Sequence, residues 1–417
     1  MATSSSQGRD DRLDRLRGPV PPRPYDARAI AALTANPGCD RRAVLDAAGV
    51  DKRAIAERLG SGPRFGQSPF AISRGHAFEK LVKADGGAVL LRLLRDALGL
   101  DLGAVEPAWT DLGDGDRRQR HQRTRELFAA AAADPGAPAV LADHPLLVLE
   151  VGGRTAYVEP DVVAFRVPGR VGAATSGTGP RWQLAEIKSF PMIDGRADPV
   201  KAGEAATQAA VYVLALQALM TGLGLSADLV STDVVLICPK DFTNTPDAAL
   251  VDVRRQLAAV RRQLDRLPSI GSLLDRLDSA VSFDLGLDAD GQPTRDAADL
   301  GRAVSAIGAR YAPECVSRCE MAFHCRDEAR AHGSTDQLGR TVRDALGGVG
   351  TVRDVLALAE GSAARSAPSD DAVLGAVLGG GETGDGGLFD PEAARLLRTA
   401  RRARDEALRS AAARESA

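Results

Sequence analysis

Apolar residues recur at helical spacing from Asp26 to Thr34, and the turn Asn36-Pro37-Gly38 then leads into two short helical patterns, RRAVLDAAGV and KRAIAERLG. Together these predict an N-terminal helical cap. The helical period returns in SRGHAFEKLVKADGGAVLLRLLRDALG, where Ser73 is an N-cap residue type, and again in DRRQRHQRTRELFAAAAA, whose first turns are densely basic. Beyond a proline-containing turn the period becomes that of strands. LLVLEV, RTAYVEPDVVAFRV and RWQLAEIKSF are rich in β-branched and aromatic residues, and the turn-rich PGRVGAATSGTGP separates the last two as a hairpin loop. A helix from about Gly203 to Met220 and a buried strand, DVVLICPKDF, come next. Helix, strands, helix, strand is the order of an α/β fold, a sheet flanked by helices.

From Leu250 to about Arg310 the pattern is helical again, broken near Pro268 and at SFDLGLDADGQP. Past Arg330, two helical stretches are separated by LGGGETGDGG, a flexible joint near 376–388, and PEAARLLRTARRARDEALRSAAA forms a charged last helix. The first 24 residues combine serine, charge and the proline run GPVPPRP, and are expected to be disordered. The expected organisation is therefore a disordered start at 1–24, a main domain at 25–332 and a helical extension at 333–417, whose helices could recruit a protein partner.

A chain of 417 residues can bury an adequate core without staples. Its N-terminus is polar, and no segment is continuously apolar over the length that spans a bilayer, so a soluble cytoplasmic protein without a membrane partner is expected. The net charge of −3 gives no global field for nucleic acid. Such a partner must be met by a local patch, for which Arg117 to Arg125 and Arg254 to Arg266 are the densest basic runs. Aromatic residues make up 4%, too few to indicate base-specific reading of a single strand.

Candidate chemistry sits in the strands. Asp161 follows Pro160 in one strand, and Glu186 and Lys188 are two apart in the next, so they project from one face while Ile187 enters the core. Asp161 can meet them across the hairpin. Two carboxylates can hold Mg²⁺ or Mn²⁺, and an ammonium beside them can orient water and neutralise a phosphate. In EAATQAAVYVLAL, Gln208 and Tyr212 share a helix face four residues apart. Cys315, Cys319 and Cys325 crowd into ECVSRCEMAFHC, and Cys39 lies far upstream. In a chain without a secretory signal, such thiols suit metal or an iron-sulfur cluster better than disulfides. His324 adjoins Cys325 and is left unassigned, while Cys238, in VVLIC, reads as a buried apolar residue.

Pro160-Asp161, Glu186-x-Lys188 and the Gln208-x₃-Tyr212 helix, in this order, resemble the RecB-like branch of the PD-(D/E)xK nucleases, which includes CRISPR-associated exonucleases. The resemblance covers about residues 30 to 330. It implies a restriction-endonuclease-like mixed sheet flanked by helices, and a metal-dependent exonuclease acting on single-stranded or end-exposed DNA in repair or defence. It further implies Asp161, Glu186 and Lys188 as the catalytic set with Gln208 and Tyr212 in support. In the upstream helix, Glu79 stands four residues after Gly75 and matches the family's additional metal ligand, with His76 as a second candidate. Cys39 with the C-terminal trio resembles the family's four-cysteine 4Fe-4S arrangement, which joins the terminal helical segments. Zinc is the alternative occupant of four thiolates. A different class of protein, a non-catalytic nucleic-acid-binding scaffold that keeps the nuclease fold, is the competing expectation.

Overall fold

The computed structural model describes residues 2–62, 69–98, 108–133, 140–167, 181–241, 243–267, 269–361 and 391–415. The chain divides into two compact units, residues 1–52 with 64–308, and residues 53–63 with 309–417. The cysteine trio lies in the second of these units, with the C-terminal helices.

The first unit opens with α1 (Ala2–Arg17), α2 (Ala27–Ala35), α3 (Asp40–Ala48) and the start of α4 (Lys52–Arg58). The expected disorder of residues 1–24 is corrected here. Leu13 and Leu16 of α1 are buried, α1 packing on α3 and on the later α10 (Ile270–Asp275), and the Phe283 amide donates to the Leu16 carbonyl at 2.7 Å. Two apolar residues anchor α1 to partners more than 250 positions away, a link that local patterning does not carry. Leu16→Ala is expected to lower stability by about 2–5 kcal/mol, the cost of a cavity at a filled core site. A thermal melt unchanged by that substitution would mean that α1 does not pack.

A six-stranded mixed sheet forms the centre. Its strands are β1 (Ala108–Asp111), β2 (Val140–Asp143), β5 (Val162–Val167), β6 (Arg181–Ile187), β9 (Asp233–Pro239) and β10 (Pro246–Asp252), in that spatial order. β1 runs parallel to β2, and β6 parallel to β9; the other neighbours are antiparallel. Parallel neighbours need a crossover. α7 (Arg117–Ala133) supplies the first and α8 (Pro199–Gly222) the second. Two small ribbons, β3 (Leu147–Val151) with β4 (Arg154–Val158) and β7 (Met192–Ile193) with β8 (Arg196–Ala197), stand apart from the sheet. The α/β class expected from the pattern is thus present.

Both faces of the sheet are covered. Against one face, Phe78, Val82, Leu90 and Leu94 of α5 (Pro69–Val82) and α6 (Ala84–Leu98) pack on Val162, Ala185, Ile187 and Val235. α8 lies on the other face, its Ala205 packing with Leu236 and Cys238. Between β5, β6 and α7, the Trp182 ring stacks 4.0 Å from Phe165 and lies 4.4 Å from Phe128. α8 is long and apolar enough to cross a membrane, but 67% of that stretch is buried inside the fold, as befits a core helix. α5 and α6 meet at a kink where Asp85, Gly86 and Gly87 adopt positive φ; a Cβ on Gly87 would lie 2.4 Å from the Trp109 ring, so glycine is required there.

Several local expectations shift. α5 begins at Pro69, so Ser73 lies inside it and is not its N-cap. The helical pattern expected from Leu250 begins later: Leu250–Asp252 belong to the half-exposed edge strand β10, and helix resumes only at α9 (Arg254–Arg266), α10 (Ile270–Asp275) and α11 (Ala297–Ser305). The hairpin loop at 168–180 and the joint at 376–388 lie outside the described residues.

The second unit comprises most of α4 with α12 (Cys315–Arg318), α13 (Ala322–Ala331), α14 (Arg340–Ala345), α15 (Val352–Glu360) and α16 (Pro391–Glu415). α12 packs on α13, and α15 on α16.

Candidate active site

The register of β5 against β6 pairs Val162 with Ala185, which carries the preceding residue, Asp161, to the end of β6. Asp161 sits at the corner before β5 and not within a strand as expected, and the corner turns its carboxylate back onto the neighbour. Its Oδ2 accepts from the Ile187 amide at 2.6 Å. Strand alternation then sorts the rest: Ile187 joins the core, while Glu186 and Lys188 lie on the α8 side and form an ion pair of 2.5 Å. α8 completes the set. Lys188 Nζ donates to Gln208 Oε1 at 3.1 Å, and Gln208 Nε2 donates to the Tyr212 hydroxyl at 2.8 Å. Five residues expected from sequence, Asp161, Glu186, Lys188, Gln208 and Tyr212, are therefore brought together.

The electrostatics of the centre are set by burial. Glu186 is 1% exposed and its pKa is pushed up to about 7, first by that burial and then by the negative charge of Asp161. Burial likewise raises Asp161 above the ordinary carboxylate range, against the opposing pull of Lys188. For Lys188, burial works to lower the pKa, but Glu186 and Asp161 outweigh it and hold the ammonium above its usual value. Tyr212 stays protonated, its pKa raised by burial and by the same two acids. One atom is left over: Glu186 Oε2 is buried and has no hydrogen-bond partner among the described residues.

Beside this centre lies a second polar cluster. Glu79 Oε1 is 2.6 Å from Lys83 Nζ and 3.1 Å from His144 Nε2, and Lys83 also pairs with Asp143 at 2.6 Å. The hydrogen bond from His144, opposed by burial and helped by Lys83, lowers the Glu79 pKa to about 2. Hydrogen bonds to Asp143 and Glu79 raise that of His144 to about 10. The negative charge of Glu79 is felt at Asp161 and Glu186, so the two clusters are electrically joined. Asp111, Asp143 and His144 bring three ligand-type atoms within 4.8 Å of one another, although the Lys83 ammonium already supplies Asp143 with a cation. His76, the other residue considered with Glu79, is exposed on α5.

Lys83, Asp143 and His144 were not legible beforehand. Lys83 follows Glu79 by one helical turn, a signal that exists in FEKLVK, but Asp143 closes, and His144 follows, a four-residue strand too short to show a period.

A cleft of about 640 Å³ adjoins Gln208 and Tyr212. The segment Pro22–Arg28, the ribbon β3–β4 and the start of α7 wall it, and Arg23, Arg28, Arg117, Arg120 and Arg154 line it. Of the first basic run, Arg117 and Arg120 reach this cleft; Arg120 is tied to Glu159 at 2.9 Å and to the Leu112 carbonyl at 2.9 Å, and Arg123 to the Asp114 carbonyl. The second run is on α9, which packs against α8 and α2; there Arg254 pairs with Asp252 and Arg261 with Gln217.

Cys39 is buried at the start of α3 in the first unit. In the second unit, Cys315 opens α12, Cys319 follows its end, with its amide donating to the Cys315 carbonyl at 2.8 Å, and Cys325 is buried in α13. Cys238 is buried within β9, as expected for an apolar role.

Compared with protein-family models, with curated proteins and with solved structures, the chain finds no match.

Proposed function

We propose that this protein is a divalent-metal-dependent phosphodiesterase of the RecB-like PD-(D/E)xK type, cutting DNA as a cytoplasmic exonuclease in repair or defence, on a restriction-endonuclease-like form of its mixed sheet. The observation that carries this reading is the buried Glu186, with its unpartnered Oε2, beside the partly buried Asp161. Two acids raised together by burial are a poor arrangement for stability and a good one for a cation. Their oxygens suit Mg²⁺ or Mn²⁺, which would supply Lewis-acid polarisation of a phosphate and a more acidic bound water.

The chain's own groups have separate tasks. Asp161, fixed by the Ile187 amide, and Glu186, fixed through Lys188, present oxygens in set directions. Lys188 remains an ammonium and so serves to orient water and to neutralise phosphate charge, not as a base. Gln208 holds Lys188 through its carbonyl and is itself positioned by the neutral Tyr212 hydroxyl. Glu79 completes the acidic surround from α5, and Lys83 with His144 aims it. The four thiols Cys39, Cys315, Cys319 and Cys325 are proposed as the ligands of a 4Fe-4S cluster, with zinc as the alternative; three soft donors within eleven residues support a metal over isolated thiols.

Labelled single-stranded and duplex DNA incubated with the full chain should be cut with Mg²⁺ or Mn²⁺ and left intact in EDTA. Absence of metal-dependent cleavage in every combination would sink the reading. Iron and sulfide analysis with an absorbance spectrum of anaerobically purified protein decides the cluster; a colourless protein with stoichiometric zinc would replace iron by zinc.

A further inference from the structure

His144 joins the two clusters of the centre through its main chain as well as its ring. It follows the last residue of β2, and its backbone turns into the left-handed region at φ 49°, a conformation uncommon outside glycine. Such a residue persists where its contacts over-determine it. Here every part of it is engaged. Ring Nε2 lies 3.1 Å from Glu79 Oε1, and ring Nδ1 lies 3.1 Å from Asp143 Oδ1. The His144 amide donates to the Asp161 carbonyl at 3.1 Å, and its own carbonyl accepts from Arg120 at 3.1 Å.

The left-handed turn is what makes this double grip possible. β2 and β5 pair antiparallel as far as Asp143 opposite Val162, and the His144 amide adds one bond beyond that ladder, to the residue just before Val162. In a continuing strand, the side chains of 143 and 144 would point to opposite faces of the sheet. The turn instead brings the ring beside the Asp143 carboxylate, and Lys83, 2.6 Å from both Glu79 and Asp143, closes the set. Glu79 comes from α5 and Asp161 from the corner before β5, so two acids from separate elements are held by one residue, the first by its side chain and the second by its backbone.

We propose that His144 is a positioning residue that sets the metal preference of this centre: by fixing Glu79 to Asp161 it holds their oxygens at a preset spacing, which favours a small octahedral cation over a larger one. Mg²⁺ demands near-ideal octahedral oxygens, whereas Ca²⁺ accepts more ligands in flexible geometry, so the rigidity of the ligands decides between them. The proposal rests on the metal reading of Asp161 and Glu186, and adds to it a residue that acts only through its neighbours.

The test measures metal binding by the full chain without nucleic acid. Mn²⁺ is titrated by its electron paramagnetic resonance signal, and Ca²⁺ by competition against it; the site concerned is the one that Asp161→Asn removes. His144→Asn keeps the amide and tolerates left-handed backbone, but its shorter side chain cannot span from Asp143 to Glu79. It should weaken Mn²⁺ on the order of tenfold or more, the usual effect of losing a group that orients a ligand, and weaken Ca²⁺ less, so that the preference narrows. The double variant Glu79→Gln/His144→Asn should bind Mn²⁺ no more weakly than Glu79→Gln alone, because the ring acts through Glu79. His144→Gly, free to adopt the same backbone, repeats the ring deletion should the asparagine variant fail to fold.

Unchanged binding, equal weakening of Mn²⁺ and Ca²⁺, or additive losses in the double variant would leave His144 a structural role only and overturn the proposal. A wild type with no Mn²⁺ site sensitive to Asp161→Asn would instead bring down the metal reading of the centre, and the proposal with it.

Discussion

Glu186→Gln is expected to abolish the proposed metal-dependent cleavage, a loss on the order of 10³-fold or more, and at the same time to raise the melting temperature of the metal-free protein at pH 8. The two effects share a cause. Burial and Asp161 lift the Glu186 pKa from 4.5 to about 7, so the fold favours the protonated acid over the carboxylate. Below pH 4.5 the acid is protonated in both folded and unfolded chains, and no stability is at stake. As pH rises from 4.5 to 7 the unfolded chain releases its proton first, and the folded state becomes progressively less favoured; above 7 the penalty is constant. At 1.36 kcal/mol per unit, the rise amounts to about 3 kcal/mol at pH 8. Glutamine keeps the shape without the charge. Asp161 remains to balance Lys188, whose side chain is 23% exposed and still reached by water. Thermal melts at pH 5 and pH 8 in EDTA check the argument: a gain of equal size at both pH values would show that the carboxylate is not destabilised in the fold.

Lys188→Ala is also expected to lose the proposed cleavage, with the opposite thermal result. Removing a group that positions water and neutralises phosphate costs on the order of 10²–10⁴-fold in rate. In the metal-free protein it also leaves Asp161 and Glu186 facing each other without their cation, and a buried pair broken on one side costs about 3–5 kcal/mol. The destabilisation is therefore expected at pH 8, where both acids are ionised, and is expected to fade towards pH 5, where Glu186 takes up its proton. Manganese should restore part of the lost melting temperature by supplying the missing positive charge. A Lys188→Ala protein that cuts DNA at the wild-type rate would remove Lys188 from the mechanism; one that melts as the wild type does at pH 8 would remove the electrostatic coupling described for the centre.

What could be read in the sequence follows from the range of each signal. Glu186 and Lys188 were legible because alternation in a strand is a two-residue rule, and Gln208 with Tyr212 because a helix repeats at four. Glu79 was legible through its spacing from Gly75 in a nuclease-like pattern. Asp143 and His144 were hidden because β1 and β2 are four residues long and pair across the intervening α7, which separates them in sequence. The edge strand β10 was hidden because its burial is only partial and gives no clean alternation. α1 was misread because its polar composition outweighs two leucines in any local window, while its partners at Leu277 and Phe283 are supplied by the opposite part of the unit.

The tether on Asp161 has a consequence for how this centre can vary. The carboxylate is aimed by a main-chain amide, that of Ile187, and the side chain at that position faces the other way into the core. Aliphatic replacements at 187 can therefore drift with the packing around them while the acid stays on target. Proline alone would cut the tether directly, because it has no amide hydrogen to give. Core and chemistry thus share a residue without sharing an atom, and each can change at that position under its own constraint.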